Sequence, residues 1–344
     1  MKRVLITGLS NYWGGRLAQT LEEDEDVETI IGVSPQDPTC ELHRTEFVRV
    51  GTQHALLRKI VHAAAIDTVV DTRLIVDSAT PPRVAHEQNV IGTMNILTAC
   101  GGPDSPVRKV VFKSSAHYYG CERDDPSFFT EEMHRPHPPR TRLESDIVEA
   151  DDAVRDFAER NRGLTVTTLR FCNGLGPDLR TSHTALLKLP AVPGILGFDP
   201  RYQFIDSEDI VGVLHHAVSH DLPGIYNAAP DGVLVLSEVA SLLGKPFAPI
   251  LPPWGTGLAA KAIGTIGIRI PDEVLRQMRY GRGLDNRKLK RTGYRFKLTT
   301  RETVQAFGEA LRLAPLRENA ETPYRYEREV EEFLRYSPSV RREE

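Results

Sequence analysis

The feature that most constrains this chain is a glycine turn near the N-terminus, Thr7-Gly8-x-x-Asn11-x-x-Gly14. The apolar run Val4-Leu5-Ile6 precedes it and a helical pattern follows, as expected for a buried strand leading into a helix. Glycines at such a turn allow a sharp bend and a close approach of helix to strand. Asn11 stands where a second glycine is usual, and asparagine tolerates left-handed backbone. The segment therefore predicts the opening strand–turn–helix unit of a dinucleotide-binding sheet.

Apolar runs and helical patterns alternate through the first half of the chain. Strands are predicted over residues 4–6, 29–33, 47–50, 68–70, 110–112 and 165–169, and helices over 54–65, 89–99 and 145–160. Alternating strands and helices form right-handed βαβ units and a parallel sheet covered on both faces. We therefore expect an α/β fold of the Rossmann type, a doubly wound parallel sheet with a smaller C-terminal substrate lobe.

The pattern of the chain changes after about Pro177, where proline and glycine become frequent. We expect a dinucleotide-binding domain over residues 1–177 and a mixed lobe over 178–317, some of whose elements return to the sheet. The lobe is predicted to contain a strand at 203–205 and helices at 207–218, 237–243 and 301–311. Residues 318–344 form a charged tail, in which 327–336 has the pattern of an amphipathic helix.

Charge and composition restrict the partners of the chain. The net charge is −4, which argues against nucleic acid, since that partner requires concentrated positive charge. No apolar run is long enough to span a membrane; the most apolar late stretch, 254–270, is interrupted by Lys261 and Arg269. The four cysteines have no metal-ligand spacing. We expect a cytoplasmic protein with reduced thiols and no metal site.

The ends of the predicted strands supply the candidate cofactor contacts. The second strand ends at Ser34, where an acidic residue would bind the ribose hydroxyls of NAD, and Asp37 in the following loop is the alternative. No arginine follows Ser34 to bind the extra phosphate of NADP, so the choice between NAD and NADP stays open. Arg73, after the fourth strand, can pair with a pyrophosphate or obstruct it. The candidate cofactor residues are Thr7, Gly8, Asn11, Tyr12, Trp13, Gly14, Ser34, Arg73 and Asn89.

Further motifs follow the turn in a fixed order. They are Asn89-Val90-Ile91-Gly92-Thr93-Met94-Asn95, Ser114-Ser115-Ala116-His117-Tyr118-Tyr119-Gly120, Leu169 through Pro177, Gln203 through Ile210, and Gly224 through Ala228. Together with the turn, they resemble the extended short-chain dehydrogenase/reductase family of the NAD-dependent epimerase/dehydratase type, over about residues 3 to 312. The resemblance implies NAD or NADP as cofactor and, in most members, a nucleotide-linked sugar as substrate.

The resemblance also implies a catalytic Ser, Tyr and Lys. In the family the tyrosine transfers a proton while hydride moves to or from the nicotinamide, and the lysine lowers the tyrosine pKa. Ser115 matches the serine, but Leu143 stands at the tyrosine position and Ile147 at the lysine position. No Tyr-x-x-x-Lys occurs anywhere in the chain. Leucine and isoleucine cannot transfer protons, so we expect these two side chains to pack together where the proton relay would be.

Three further side chains and a basic cluster are candidates for the substrate site. His117 is the nearest titratable group to Ser115, either an acid or base or a structural histidine. Asn173 matches a position where relatives contact a substrate phosphate, and Arg201 lies one residue before a phosphate-binding arginine of relatives. A later basic cluster, Arg279, Arg282 and Arg287, suits either an anion or a solvated face.

Three functions remain open from the sequence. The first is a dinucleotide-binding protein without standard family catalysis, a sensor or scaffold. The second is an active NAD(P)-dependent epimerase, dehydratase or reductase on a nucleotide-sugar or similar alcohol, using Ser115 with His117 or an ordered water. The third is a non-enzymatic interaction module. Relatives often dimerise through two helices, here those of Asn89 and Ser145, so we also expect a homodimer.

Overall fold

The computed structural model describes residues 1–51, 53–77, 80–254 and 270–314. The predicted charged tail, with its amphipathic helix, and nearly all of the 254–270 stretch lie outside the described residues. Within the described ranges, no helix is long and apolar enough to cross a membrane.

The described chain forms thirteen strands. They are β1 (Lys2–Thr7), β2 (Val27–Ser34), β3 (Thr45–Arg49), β4 (Thr68–Asp71), β5 (Lys109–Ser115), β6 (Thr165–Phe171), β7 (Asn173–Leu175), β8 (Val192–Ile195), β9 (Arg201–Tyr202), β10 (Phe204–Asp206), β11 (Gly224–Ala228), β12 (Leu234–Val235) and β13 (Phe247–Leu251).

The helices lie between these strands. They are α1 (Tyr12–Glu22), α2 (His54–Ala63), α3 (Pro82–His86), α4 (Gly92–Cys100), α5 (Arg142–Arg160), α6 (Ser182–Lys188), α7 (Ser207–Ser219), α8 (Leu236–Leu242), α9 (Asp272–Tyr280) and α10 (Arg287–Arg291), with a further helix over 300–314.

Seven parallel strands form the central sheet in the order β3-β2-β1-β4-β5-β6-β11. The strand order reverses between β1 and β4, and dinucleotides bind at the carboxyl ends of strands beside such a reversal. The sheet confirms the predicted Rossmann-type α/β fold.

Helices cover both faces of the sheet. One apolar cluster joins α1 and α7 to the first face and includes Leu17 and Leu214. A second cluster joins α2, α4 and α5 to the other face and includes Leu57, Ile96 and Ile147. The central strands β4 and β5 are buried along their whole length, because helices cover them on both sides, whereas the edge strand β3 is partly exposed.

Several helices are longer than the sequence pattern predicted, and the difference is largest at the N-termini of two of them. Helix α1 begins at Tyr12, directly after the turn, although its apolar pattern becomes clear only at Leu17. The helix predicted over 89–99 begins at Pro82, where proline suits a first helical turn, and passes through a π-helical turn, Glu87–Ile91, into α4.

The C-terminal lobe is built from three small strand pairs, β7 with β10, β9 with β12 and β8 with β13, together with α6, α8 and α9. Strand β11 and helix α7 instead complete the large sheet and its first face. A boundary at residue 177 therefore separates segments that the fold joins again, and the division into domains stays a prediction.

Candidate functional site

The glycine turn between β1 and α1 is held by close backbone packing. Gly8 has φ +83°, in the left-handed region where glycine is favoured. A Cβ added at Gly14 would lie 2.2 Å from the carbonyl oxygen of Gly8, so only glycine lets α1 approach the turn this closely. Asn11 has φ −73° and ψ 157° and is the N-cap of α1. The structure thus corrects the expectation for Asn11: its tolerance of left-handed backbone is not used.

The first turn of α1 faces the carboxyl edge of the sheet. The N–H groups at the start of a helix have no acceptor within the helix, and here they belong to Tyr12, Trp13 and Gly14. The Asn11 side-chain amide donates to the carbonyl of Thr72 at 3.3 Å and lies against Gly8. The turn keeps its anion-binding N–H groups, with an amide beside them.

The guanidinium of Arg73 is paired with an acidic side chain. Its Nε and Nη2 donate to the two carboxylate oxygens of Asp71 at 2.9 and 2.8 Å, and both side chains are buried. Asp71 also accepts from the Thr7 hydroxyl at 2.8 Å. The Arg73 Cγ would lie 2.6 Å from a Cβ at Gly8, so its aliphatic part covers one side of the turn. The positive charge of Arg73 is already compensated.

A small cavity lies on the β2 side of the turn, with about 210 Å³ of space partly open to solvent. Ser34 lines it, and its hydroxyl is hydrogen-bonded to that of Ser10. Asp37, the alternative acidic residue, is exposed and pairs with Arg49. The lining is mainly apolar: Thr7, Val33, Ser34, Pro35, Val50, Gly51, Leu57, Arg73 and Ile96. These walls suit a flat apolar ring.

Asn89 is fully buried after β4. Its side chain donates to the carbonyl of Ile75 and accepts from the N–H of Ile75, both at 2.8 Å. Both polar groups are therefore used inside the protein. Asn89 fixes the segment that follows β4 and does not face the crevice at the sheet edge.

Leu143 and Ile147 lie on the inner face of α5. They are 7% and 0% exposed and belong to the same apolar cluster as Phe112 of β5. This is the packing that the sequence led us to expect. Neither side chain has a titratable group.

A cleft opens between the sheet edge and the C-terminal lobe, with about 530 Å³ of space continuous with solvent. It brings together Ser115, His117 and Asn173, three of the residues predicted from the sequence. The Ser115 hydroxyl accepts from the backbone N–H of His117 at 3.2 Å. The Asn173 amide donates to the carbonyl of Gln203 at 3.2 Å.

Two histidines of the cleft are held neutral. Burial, and then the nearby Arg282 charge, lower the pKa of His117 well below its usual value. The same causes lower the pKa of His183, on α6, to about 4. Within the described part of the chain, Nδ1 of His117 and Nε2 of His183 have no hydrogen-bond partner. Both rings can therefore act as neutral hydrogen-bonding groups at physiological pH.

Arg282 supplies the positive charge of the cleft. It is 8% exposed, and its Nη1 donates to the carbonyl of Gly120 at 3.1 Å. Among the described residues it has no carboxylate partner, and burial lowers the pKa of its guanidinium. Arginine stays charged in proteins, so this cleft presents a guanidinium to an anion, although Glu144 acts on it electrostatically and Asp77 and Glu273 also line the cleft.

The other basic candidates lie elsewhere. Arg201 is exposed on β9 and is not part of the cleft wall, although its carbonyl accepts from the Arg282 N–H at 3.2 Å. Arg287 is exposed and pairs with Asp285, and the Arg279 guanidinium lies 5.4 Å from the ring centre of Phe198. Of the late basic cluster, Arg282 is the member whose side chain lines the cleft.

Lys113 and His183 are site residues that the sequence reasoning missed. Lys113 is 4% exposed in β5, and its Nζ lies 5.2 Å from the ring centre of Trp13 and 5.6 Å from that of Phe171. Burial lowers the pKa of Lys113 to about 8. The available signal was a lysine directly after the apolar run 110–112 of a strand expected to be buried on both faces. His183 had no such signal, because its place depends on the fold of the lobe.

The chain is similar to solved structures over almost its whole length. A dTDP-glucose 4,6-dehydratase of Bacillus anthracis in complex with NAD has a TM-score of 0.66 and 18% identity, and the match covers 90% of this chain and 96% of that one. A UDP-glucuronic acid 4-epimerase of Bacillus cereus in complex with NAD has a TM-score of 0.66 and 14% identity, with the same coverage. At these identities the likeness shows the fold.

Sequence comparison gives the family. An uncharacterised protein of Mycobacterium tuberculosis is 29% identical over 326 residues, which is 92% of this chain and 85% of that protein. A model of the NAD dependent epimerase/dehydratase family matches residues 4–229. Because this match covers well over half of the 344 residues, the chain belongs to the NAD dependent epimerase/dehydratase family.

Proposed function

We propose that this protein binds NAD or NADP at the carboxyl edge of the sheet and a nucleotide-sugar-like anion in the cleft, without the proton transfer typical of its family. It would act as a sensor or scaffold. The observation that carries the proposal is the packing of Leu143 and Ile147 in the apolar cluster of α5. Apolar side chains at both positions leave binding as the function that the remaining groups support.

The carboxyl edge fits the adenosine and pyrophosphate parts of a dinucleotide. The N–H groups of the first α1 turn would bind the pyrophosphate, because helix N-termini favour anions. The cavity beside Ser34 has apolar walls for an adenine and a hydroxyl for its ribose. Arg73 would border the pyrophosphate, but its pairing with Asp71 limits the charge it can offer. We expect dinucleotide affinity to be weaker than in relatives with a glycine at position 11.

The cleft fits a ligand that carries a phosphate or a carboxylate. Arg282 would provide the charge, while Asn173 and His183 would provide neutral hydrogen bonds. Three solved structures with a similar fold contain such compounds: a UDP-glucose 4-epimerase from Thermotoga maritima contains UDP-glucose, and two complexes of MoeE5 contain UDP-glucuronic acid or UDP-glucose with NAD. A nucleotide-sugar is therefore the ligand class we propose.

Titration of the full-length protein with NAD(H) and NADP(H), followed by thermal shift and nicotinamide fluorescence, tests the cofactor site. A Gly14→Ala variant should lose the response because the added Cβ would meet the Gly8 carbonyl. If millimolar cofactor produced no shift in the unmodified protein, the cofactor part of the proposal would fail.

A second candidate function, catalysis by other groups, is favoured by one observation. His117 is neutral, its Nδ1 is without a partner among the described residues, and its backbone N–H donates to the Ser115 hydroxyl, which places the two residues side by side in the cleft. A neutral histidine beside a serine can act as a base. Turnover on a nucleotide-sugar panel that disappears in a Ser115→Ala, His117→Ala double variant would establish this function and refute the sensor proposal.

We also propose that the protein is a cytoplasmic homodimer. Exposed apolar side chains, Val84, Ile91 and Met94, occur along α3, the π-helical turn and α4, next to α5. An exposed apolar face of this kind favours association. Light scattering after size exclusion should give twice the chain mass of 38.4 kDa, and a Met94→Glu variant should give the monomer mass.

A further inference from the structure

Lys113 lies on the opposite face of the sheet from Leu143 and Ile147, which stand at the family Tyr and Lys positions. Successive residues of a strand point to opposite faces. Phe112 belongs to the cluster that contains Leu143, whereas the Lys113 ammonium lies over Trp13 of α1 and Phe171 of β6. Lys113 therefore does not occupy the place of the missing family lysine. It shares its side of β5 with Ser115, two residues further on.

The charge of Lys113 has little compensation. Among the described residues its ammonium makes no hydrogen bond or ion pair, and its contacts are with the two aromatic rings. Asp71 is the acidic group that acts on it electrostatically, but both carboxylate oxygens of Asp71 already accept from Arg73. A buried cation without a partner imposes its field strongly on any group placed beside it.

The topology of the sheet predicts that the nicotinamide half of a bound dinucleotide would lie near Lys113. With the pyrophosphate on the first turn of α1 and the adenosine toward β2, the second half of the molecule must extend over β4 and β5. Trp13 lies in that first turn, and its indole reaches to 3.9 Å from a Cβ added at Gly174, beside the cleft. The nicotinamide would therefore enter the region between Trp13, Lys113 and Ser115.

The two redox forms of a nicotinamide differ in charge at this ring. The oxidised ring is a cation, and the reduced ring is neutral. Two cations close together repel each other, most strongly where one of them is buried as Lys113 is, whereas a neutral ring packs against aromatic side chains without that penalty.

We propose that Lys113 makes the site selective for the reduced dinucleotide, so that the protein responds to the ratio of NAD(P)H to NAD(P)+. The proposal rests on the dinucleotide binding proposed above. A response to the ratio of the two forms requires that the reduced and the oxidised dinucleotide bind with different affinities. The charge of Lys113 supplies that difference. The function it deepens is that of a sensor, because neither ligand needs to react.

Isothermal titration near neutral pH tests the proposal with each oxidised and reduced dinucleotide. In the unmodified protein the reduced form of the bound dinucleotide should bind at least about tenfold more tightly than the oxidised form. Lys113→Met should bring the two affinities within about threefold, mainly by tightening the oxidised form. Lys113→Arg, which keeps the charge, should retain the preference.

Lys109→Met is the matched control. Lys109 lies in the same strand and is also buried, but its ammonium bonds the carbonyls of Val218 and His220 at the other end of β5. The preference should persist in that variant.

Equal affinities in the unmodified protein would overturn the inference, as would a preference that survives in Lys113→Met. Either result would leave the proposed dinucleotide binding intact. Absence of binding by all four dinucleotides would instead overturn the binding proposal, and the selectivity with it.

Discussion

Replacing Lys113 by methionine should make this protein more stable. Methionine has a similar length and fills the same space between Trp13 and Phe171 without a charge. Burial lowers the pKa of Lys113 from 10.5 to about 8, because the folded environment disfavours the ammonium. The charge is therefore a cost to the folded state that the variant removes.

The size of the effect follows from the same values. A difference of one pKa unit corresponds to about 1.4 kcal/mol, so the fall from 10.5 to about 8 corresponds to roughly 3 kcal/mol at neutral pH. Contact of the ammonium with the two rings offsets about 1–2 kcal/mol of this cost. The expected net gain is about 1–3 kcal/mol, or a rise of a few degrees in Tm for a chain of this size.

The pKa values of Lys113 in the folded and unfolded protein determine how its effect on stability changes with pH. Below about pH 8 the lysine is charged in both states, and the full cost is present. Between pH 8 and 10.5 the unfolded chain binds more protons than the folded one, so the stability of the unmodified protein rises with pH. The advantage of Lys113→Met should therefore be constant below pH 8 and should shrink as the pH approaches 10.5.

Urea denaturation near neutral pH and near pH 10 measures both effects. Lys109→Met, which removes an ammonium bonded to two carbonyls and to Asp221, should instead lose about 1–3 kcal/mol. The reasoning would be refuted if Lys113→Met were no more stable than the unmodified protein, or if its advantage were as large at high pH as at neutral pH.

Three further changes test the turn, the core and the cleft. Gly14→Ala should destabilise by more than about 1 kcal/mol and lose dinucleotide binding, whereas Gly163→Ala, with no atom within 4 Å of the new Cβ, should change stability by less than about 0.5 kcal/mol; urea denaturation compares them. Asp151→Asn leaves the buried Arg170 guanidinium without its anion and should cost about 3–5 kcal/mol by the same method, so a loss below about 1 kcal/mol would contradict a buried ion pair. Arg282→Met should weaken nucleotide-sugar binding by about tenfold or more in calorimetry, and unchanged affinity would exclude Arg282 as the anion-binding group.

The sequence was sufficient for the fold because the decisive signals are local. The turn around Gly8 and Gly14 and the alternation of apolar strands with helices depend on residues close together in the chain. Helix limits were less accurate at Pro82, where the apolar pattern begins several residues after the helix does. That the chain contains no Tyr-x-x-x-Lys can likewise be read from the sequence alone.

The chemistry of the site depended on contacts between distant segments. Arg282 gains its place in the cleft by bonding to Gly120, 162 residues away. A charged residue in a loop is usually solvated, so its burial follows only from the packing of the lobe against the sheet.

The tertiary structure likewise decided which charged side chains near the turn are paired and which are buried. The sequence placed Arg73 at the strand end, but only the fold shows its two hydrogen bonds to Asp71. The sequence reasoning missed Lys113, because only the packing of Trp13 and Phe171 shows that this lysine is buried without an acceptor among the described residues. Local pattern thus determined the scaffold. Burial and pairing, which arise from long-range packing, decided which charges remain available to a ligand.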